Sequence, residues 1–254
     1  MELELRRQKI SEIVNSQGSV WVDDLAEQFN VTTQTIRLDL NELSERGILK
    51  RTHGGAIRTR GVTNRAYLKR RKLFTMEKEA IGERAASLIP NDCSVSLNIG
   101  TTTEQVARAL IGHSGLMVFT NNINIINLLA GTTNQDLVLA GGLVRQDDGA
   151  VVGDDAVEFF ARYKVDFAII GSSALDSDGS ILDFDQREVA VARAILKNSR
   201  TRILVCDGSK FDINAPVRIC DISELDYFVT DRAPPGEFLD SAEKANTKII
   251  SLQV

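Results

Sequence analysis

Cysteine is scarce in this chain of 254 residues, which has three, at positions 93, 206 and 220, and no Cys-x-x-Cys pair. An odd number of scattered cysteines argues against a disulfide framework and is typical of a protein of the reducing cytosol. There are only two histidines, and neither lies in a cluster of ligand-type residues. The sequence therefore predicts neither a metal site nor a bound cofactor.

Long apolar runs are also missing. The longest stretch without Asp, Glu, Lys or Arg covers residues 109–135 and contains five asparagines, which excludes a membrane span. The first ten residues, MELELRRQKI, carry charges where a signal peptide would have its apolar segment, so we expect a cytoplasmic protein. The nucleotide motifs G-x-G-x-x-G and G-x-x-x-x-G-K-[ST] are absent, as are H-E-x-x-H and G-x-S-x-G.

What is present is the composition of an ordinary globular protein, with 43% hydrophobic and 26% charged residues. The length predicts one large domain and one small one. Charge is divided unevenly: residues 1–75 have a net charge of +5 and residues 76–254 a net charge of −10. Residues 46–72 contain ten basic side chains and no acidic one, which is typical either of a solvated basic face or of a nucleic-acid contact.

The first 58 residues have the pattern of a winged helix-turn-helix. Leu5, Ile10, Ile13 and Val14 predict one helical face, and a second helix ends near Asn30. Thr32 is a candidate N-cap of a third helix that ends at Gly47. Two β-capable runs around Gly54-Gly55 then predict a hairpin wing. A three-helix protein-interaction module is the alternative for the helices alone.

The N-terminal end of the third helix and the wing supply the candidate DNA contacts. Recognition helices read base edges with that end, Gln pairs with adenine and Arg with guanine, and basic wing residues neutralise phosphates. His53 is expected to pack or form a hydrogen bond within the wing. The predicted DNA-binding residues are Thr33, Gln34, Thr35, Arg37, Lys50, Arg51, His53 and Arg58.

These residues resemble a known family. Residues 32–40, read together with Gly47 and residues 51–56, are similar to the DNA-binding signature of DeoR-type repressors. One departure concerns operator recognition, because many members have a second arginine where this chain has Leu38. The resemblance implies a DNA-binding repressor that acts on double-stranded operator DNA.

Residues 59–75 are predicted to form a basic linker that can turn helical. Residues 76–254 alternate strand-like and helical patterns, which predicts an α/β domain with a parallel sheet covered on both faces. Strands are expected at 94–99, 116–120, 136–140, 165–171, 201–207, 225–230 and 247–252. Ligands in such sheets bind at the carboxyl ends of the strands. Glycine, hydroxyl and amide residues gather at those ends, and Lys210 can supply a cation for a phosphate.

The family resemblance extends over this domain and implies a sugar-phosphate sensor similar in fold to ribose-5-phosphate isomerase. Residues 181–185, Glu188-Val189 and residues 193–195 are most similar to the glycerol 3-phosphate-responsive branch, so glycerol 3-phosphate is the first candidate effector. The predicted effector-binding residues are Gly100, Thr101, Thr102, Thr103, Asn121, Asn122, Gly141, Gly142, Ser172, Asp183, Glu188 and Lys210.

The resemblance to ribose-5-phosphate isomerase also leaves an alternative, which is an isomerase-like enzyme with an accessory DNA-binding module. Arg187-Glu188 resembles the segment that carries the isomerase's catalytic carboxylate, and a glutamate beside a sugar can abstract a proton. The glycine-rich, lysine-bearing stretch that precedes the glutamate in the isomerase is replaced here by residues 178–181. We therefore expect no enzyme activity, and we expect Glu188 either to bond an effector hydroxyl or to face water. Because operators read by symmetric dimers have paired half-sites, we also expect a homo-oligomer, a dimer or a tetramer.

Overall fold

Residues 3–45, 48–58, 67–132 and 135–252 are described by the computed structural model, and the chain divides into two units, 1–61 and 62–254. The first unit contains α1 (Leu3–Gln17), β1 (Ser19–Trp21), α2 (Val22–Phe29), α3 (Thr33–Glu45), β2 (Leu49–Thr52) and β3 (Gly55–Arg58). Gly47, the expected end of the third helix, lies outside the described residues, as do residues 59–66 of the expected linker.

Capping residues explain where the helices of the helix-turn-helix end and begin. Helix α2 ends at Asn30, which has a left-handed backbone (φ 51°) and closes the helix with its own N–H. Two residues later the hydroxyl of Thr32 accepts a hydrogen bond from the Thr35 amide at 3.2 Å, which caps α3. The buried faces of the three helices share one core that contains Ile10, Leu25 and Ile36. The predicted helix-turn-helix is confirmed.

The wing is a three-stranded antiparallel sheet in the order β1-β3-β2, one strand more than the predicted hairpin. The extra strand, β1, pairs with β3 and places Val20 opposite Ala56, both of them buried. One expectation for α1 is wrong, because Leu5 is exposed. Arg6 is buried in its place, and its Nε donates to Asp39 Oδ2 at 2.6 Å. This ion pair ties α1 to α3.

The second unit is built on seven parallel strands, which confirms the predicted α/β class. Their order is β15-β14-β12-β9-β4-β5-β6. The strands are β4 (Ser94–Leu97), β5 (Leu116–Thr120), β6 (Gln135–Leu139), β9 (Val165–Ile170), β12 (Ser199–Val205), β14 (Tyr227–Thr230) and β15 (Lys248–Ser251). All seven correspond to predicted strands. The helices are α4 (Tyr67–Lys72), α5 (Thr75–Ala86), α6 (Thr101–Ala109), α7 (Ile123–Leu129), α8 (Asp154–Ala161), α9 (Gln186–Lys197) and α10 (Gly236–Ala245).

Both faces of this sheet are covered. Along β12 and its end, Ile203 and Val205 belong to one apolar core together with side chains of α5, α6 and α7. Leu204 and Cys206 belong to a second core together with α8, α9 and α10. Successive side chains of a strand point to opposite faces, so the two cores lie on opposite sides of the sheet.

Two small antiparallel sheets were not predicted from the sequence. One is the hairpin of β7 (Leu143–Arg145) and β8 (Ala150–Val152), and the other joins β10 (Ala174–Leu175), β11 (Ser180–Asp183) and β13 (Val217–Asp221). Both matter for the site, because β7 carries Arg145 and β11 carries Asp183.

The strand order reverses once. After β4 the chain adds β5 and β6 on one side, and it then returns to place β9 against the other side of β4. In open α/β sheets such a switch point leaves a crevice at the carboxyl ends of the two central strands. The carboxyl ends of β4 and β9 are therefore where a ligand cavity is expected.

Candidate functional site

The exposed end of α3 carries the residues expected to read DNA. Gln34 and Arg37 are exposed, and Thr33 and Thr35 are half-buried at the start of the helix. The Thr35 hydroxyl lies 2.9 Å from that of Thr32, so it also takes part in the cap. This places an amide and a guanidinium where a recognition helix meets base edges.

The wing adds exposed Lys50 and His53. Arg51 is half-buried, and its Nη1 donates to the carbonyl of Gly55 at 2.9 Å, so part of its hydrogen-bonding capacity holds the hairpin together. The side chain of Arg58 lies outside the described set. Leu38 is 58% exposed on α3, four residues after Gln34. It adds an apolar side chain to the exposed face that carries Gln34 and Arg37, and apolar side chains on such helices contact thymine methyl groups.

A cavity of about 340 Å³ lies at the carboxyl ends of β4, β9 and β12, at the switch point of the sheet. It brings together seven of the predicted effector residues: Gly100, Thr101, Thr102, Ser172, Asp183, Glu188 and Lys210. Its other lining residues were not predicted: Arg70, Ile99, Gly171, Ser173 and Val205.

The floor of the cavity has the form of an anion site. Gly100 has φ +143°, which side chains other than glycine rarely adopt, and it lets the chain turn directly from β4 into α6. No side chain caps α6, and its first residues, Thr101 and Thr102, line the cavity. Unpaired amides and the positive end of the helix dipole at this point favour a negative charge.

Lys210 contributes a positive charge from the 3₁₀ turn after β12. The turn is capped by Asp207, whose carboxylate accepts a hydrogen bond from the Ser209 hydroxyl and another from its amide, at 3.2 Å. Burial by itself would raise the pKa of Asp207, but Lys210 and the nearby Lys78 hold it below its ordinary value. A charged carboxylate thus fixes the backbone that carries Lys210.

Two carboxyl groups, Asp183 and Glu188, face the cavity. Burial raises the pKa of both; for Glu188, proximity to Asp183 raises the pKa further, to about 8, although Arg145 opposes the shift. A protonated carboxyl can donate a hydrogen bond as well as accept one. These groups can therefore distinguish the hydroxyls of a polyol.

Arg145 organises this side of the cavity. Its guanidinium contacts three carboxylates: Asp148 at 2.6 Å, Glu188 at 2.8 Å and Asp185 at 3.0 Å. It comes from the short hairpin that no sequence pattern indicated. Asp185 in turn caps α9 by accepting a hydrogen bond from the Arg187 amide. Arg145 therefore holds Glu188 at the cavity wall.

Five predicted effector residues do not line this cavity. Thr103 donates to the carbonyl of Gly100 at 2.7 Å, and Asn121 donates to that of Val151 at 3.0 Å. Asn122 caps α7 and donates to Glu104 at 3.2 Å. Gly141 and Gly142 are exposed after β6, at an edge of the sheet, on the way into the β7–β8 hairpin. All five follow strand ends as expected, but hydrogen bonds within the fold occupy the Thr103 hydroxyl and the side-chain nitrogens of Asn121 and Asn122.

A second, smaller cavity of about 200 Å³ adjoins the first and shares Arg70, Ile99, Gly100 and Glu188 with it. Tyr67 and Glu104 form its far wall, where the Tyr67 hydroxyl donates to the carboxylate at 2.8 Å. Burial and this carboxylate raise the pKa of Tyr67, so the phenol keeps its proton.

Within the described residues, no group of three or more His, Cys, Asp or Glu side chains is arranged to hold a metal ion. None of the described helices combines the length and apolar composition that crossing a bilayer requires. A winged helix-turn-helix and an α/β domain with a polar cavity, joined in one chain, define a transcription regulator with a sensor domain.

Comparisons with known proteins identify the family. Residues 6–60 match the DeoR-like helix-turn-helix domain, and residues 74–232 match the DeoR C terminal sensor domain. The glycerol-3-phosphate regulon repressor of Haemophilus influenzae is 41% identical over 98% of this chain and 97% of its own length. That of Escherichia coli is 44% identical, over 91% of each chain. The chain belongs to the DeoR family and is a DNA-binding transcriptional repressor.

Ribose 5-phosphate isomerase from Plasmodium falciparum is a structural neighbour with 13% identity and a TM-score of 0.39, and the match covers 52% of this chain and 51% of that one. A likeness of this size says nothing about activity. Both sequence relatives are named as repressors, which places this chain with transcription regulators.

Proposed function

We propose that this repressor is released from its operator by a small phosphorylated polyol or sugar that binds in the cavity at the switch point, with glycerol 3-phosphate the first candidate. The proposal rests on one observation, which is that the uncapped N-terminus of α6 and the side chain of Lys210 line the same cavity. The relatives' names, which refer to a glycerol-3-phosphate regulon, support the choice of candidate.

In this proposal the phosphate lies against Gly100, Thr101 and Thr102, and Lys210 neutralises part of its charge. Asp183 and Glu188 then contact the hydroxyls. Asn122, which the sequence had suggested for that role, is instead committed to the α7 cap and to Glu104. Operator release requires that the effector bind the DNA-incompetent arrangement more tightly than the competent one.

The experiment compares Lys210→Ala with the parent protein. A tenfold loss of operator affinity on effector binding corresponds to about 1.4 kcal/mol of coupling, which by reciprocity weakens effector binding to the DNA complex equally. We expect Lys210→Ala to bind operator normally but to lose most of its response to glycerol 3-phosphate in calorimetry and in gel-shift titrations.

Lys244→Ala is the matched control, since Lys244 is exposed on α10 and does not line the cavity. A Lys210→Ala protein that responds like the parent would show that the phosphate binds elsewhere. If neither glycerol 3-phosphate nor other phosphorylated metabolites raise the melting temperature of the parent or release its operator at millimolar concentration, the sensor proposal is wrong.

We further propose that the repressor binds operator as a homo-oligomer held by the larger unit. Symmetric helix-turn-helix proteins use two copies on two half-sites. The larger unit also exposes apolar side chains close together in the chain, at Leu139, Leu143 and Val144. Light scattering that finds a monomer at micromolar concentration, both with and without operator, would contradict this proposal.

A further inference from the structure

Arg70 lines the cavity from a helix that precedes every strand of the second unit in the chain. It lies on α4, which in the chain follows residues 59–66, the stretch between β3 and the described part of the second unit. Its side chain is 17% exposed and lines both cavities. An arginine in this position brings the start of the second unit into direct contact with the space that an effector would fill.

The guanidinium of Arg70 is incompletely satisfied. Its Nε is buried and has no hydrogen-bond partner among the described residues. Its Nη2 lies 3.9 Å from Asp148 Oδ2, beyond hydrogen-bonding distance, and Asp148 is already held by Arg145 at 2.6 Å. Buried donors in folded proteins are nearly always paired, so an unpaired one on a cavity wall indicates a missing acceptor.

The rest of α4 is attached by polar contacts. At its start, the Tyr67 hydroxyl donates to Glu104 at 2.8 Å. At its end, Lys78 Nζ donates to the carbonyls of Arg70 and Leu73 at 2.5 and 2.6 Å. Burial lowers the pKa of Lys78 to about 8, so this anchor is itself close to losing its charge. A helix of six residues that is held by the buried Tyr67 and by a few polar contacts is a short element that can rearrange at lower cost than the sheet.

We propose that Arg70 binds the anionic group of the effector and that α4 thereby reports the occupancy of the cavity to the segment that leads to the DNA-binding unit. A phosphate oxygen in the cavity competes with Asp148 for the guanidinium, and a shift of the side chain then gives the buried Nε the acceptor that it lacks. This inference rests on the proposed effector function and deepens it, because it names the residue that converts binding into a change at the start of the second unit.

The test measures binding and release separately in the full-length protein, with glycerol 3-phosphate as the probe and glycerol as its uncharged counterpart. Arg70→Ala is expected to weaken glycerol 3-phosphate binding about tenfold or more, since hydrogen bonds to charged groups contribute that much. Binding of glycerol should be unchanged. At saturating glycerol 3-phosphate the variant should still retain more operator than the parent does.

Two further variants keep the test decisive. Lys69→Ala removes an exposed charge from the same helix and should behave like the parent. Arg70→Lys keeps the charge but not the planar fork, so it should bind glycerol 3-phosphate with intermediate affinity, and it replaces Arg70→Ala if that protein does not fold.

The outcomes separate this inference from the proposed function. If the parent itself neither binds glycerol 3-phosphate nor releases operator, the proposed function is wrong. If the parent responds and the Arg70 variants bind the probe equally well, Arg70 is not an effector ligand. If they bind it weakly but release operator completely at saturation, α4 does not report occupancy. A lower melting temperature with parent-like binding and release would mean that Arg70 only supports the fold.

Discussion

The recognition surface of α3 and the cavity of the second unit use charged side chains in opposite ways. On α3, Gln34 and Arg37 are exposed, while the charge that the fold uses, Asp39, is buried against Arg6. At the cavity the same charges serve fold and site together, because Arg145 pairs with Glu188 and also holds Asp148.

The difference teaches which functional residues can be changed without damage to the structure. A duplex brings its own charges to an exposed surface, so the protein needs no internal partner for the residues that read it. A small effector site must remain ordered while it is empty, so most of its buried charges need partners inside the protein, and Arg70 with its unpaired Nε is the exception described above. Mutations should therefore separate function from stability on α3 and combine them at the cavity.

The largest effect is expected for Arg145→Ala. Removal of this guanidinium leaves Asp148 and Asp185 without their shared cation and the carboxyl of Glu188 without its hydrogen-bond donor, and the loss of one partner of a buried ion pair costs about 3 kcal/mol or more. Urea unfolding measures the loss. Arg187→Ala is the control, because Arg187 also pairs with Asp185 but is exposed, and its removal should leave the stability almost unchanged. Equal stabilities for the two variants would contradict the larger role assigned to Arg145.

A smaller effect, on DNA binding alone, is expected for Arg37→Ala. The exposed guanidinium has the position of a base contact, so its removal should weaken operator binding by about 1–3 kcal/mol if the contact is bidentate to guanine, and the melting temperature should not change. Lys50→Ala on the wing serves as the comparison. Lys50→Ala should weaken binding to all duplexes alike. The slope of log affinity against log salt concentration should fall in magnitude by about one. Unchanged operator affinity for Arg37→Ala would exclude its role in recognition.

The last effect is a dependence of stability on pH that belongs to the cavity. Glu188 has a pKa of about 8 in the folded chain, raised by burial and Asp183, so the folded state holds a proton that the unfolded state has already released. Stability should therefore fall as the pH rises from about 5 to 8. Urea midpoints across this range should fall less for Glu188→Gln than for the parent, and Glu158→Gln, on the exposed face of α8, should leave the slope unchanged. A slope that is the same in all three proteins would refute the assignment.

The sequence predicted most of the fold. Alternation of apolar residues with turn residues was enough to locate the seven strands of the sheet, and Thr32 was recognisable as a cap because its chemistry is local. The short hairpin strand that carries Arg145 gave no such signal, and the six-residue helix that carries Arg70 was expected only as part of a linker that can turn helical. Their lengths provide too few residues for a period to show.

The sequence by itself determined that a DNA-reading module precedes an α/β sensor and that polar turns gather at one edge of the sheet, because these features follow from local periodicity and from the common direction of parallel strands. Only the tertiary structure decided which turns meet. Strand β9 pairs with β4, which brings Gly100 and Ser172 to one cavity, while Gly142 is left at the end of the outer strand. Strand pairing between distant segments sets that geometry, and packing decides which polar groups the fold itself uses and which remain available for a ligand.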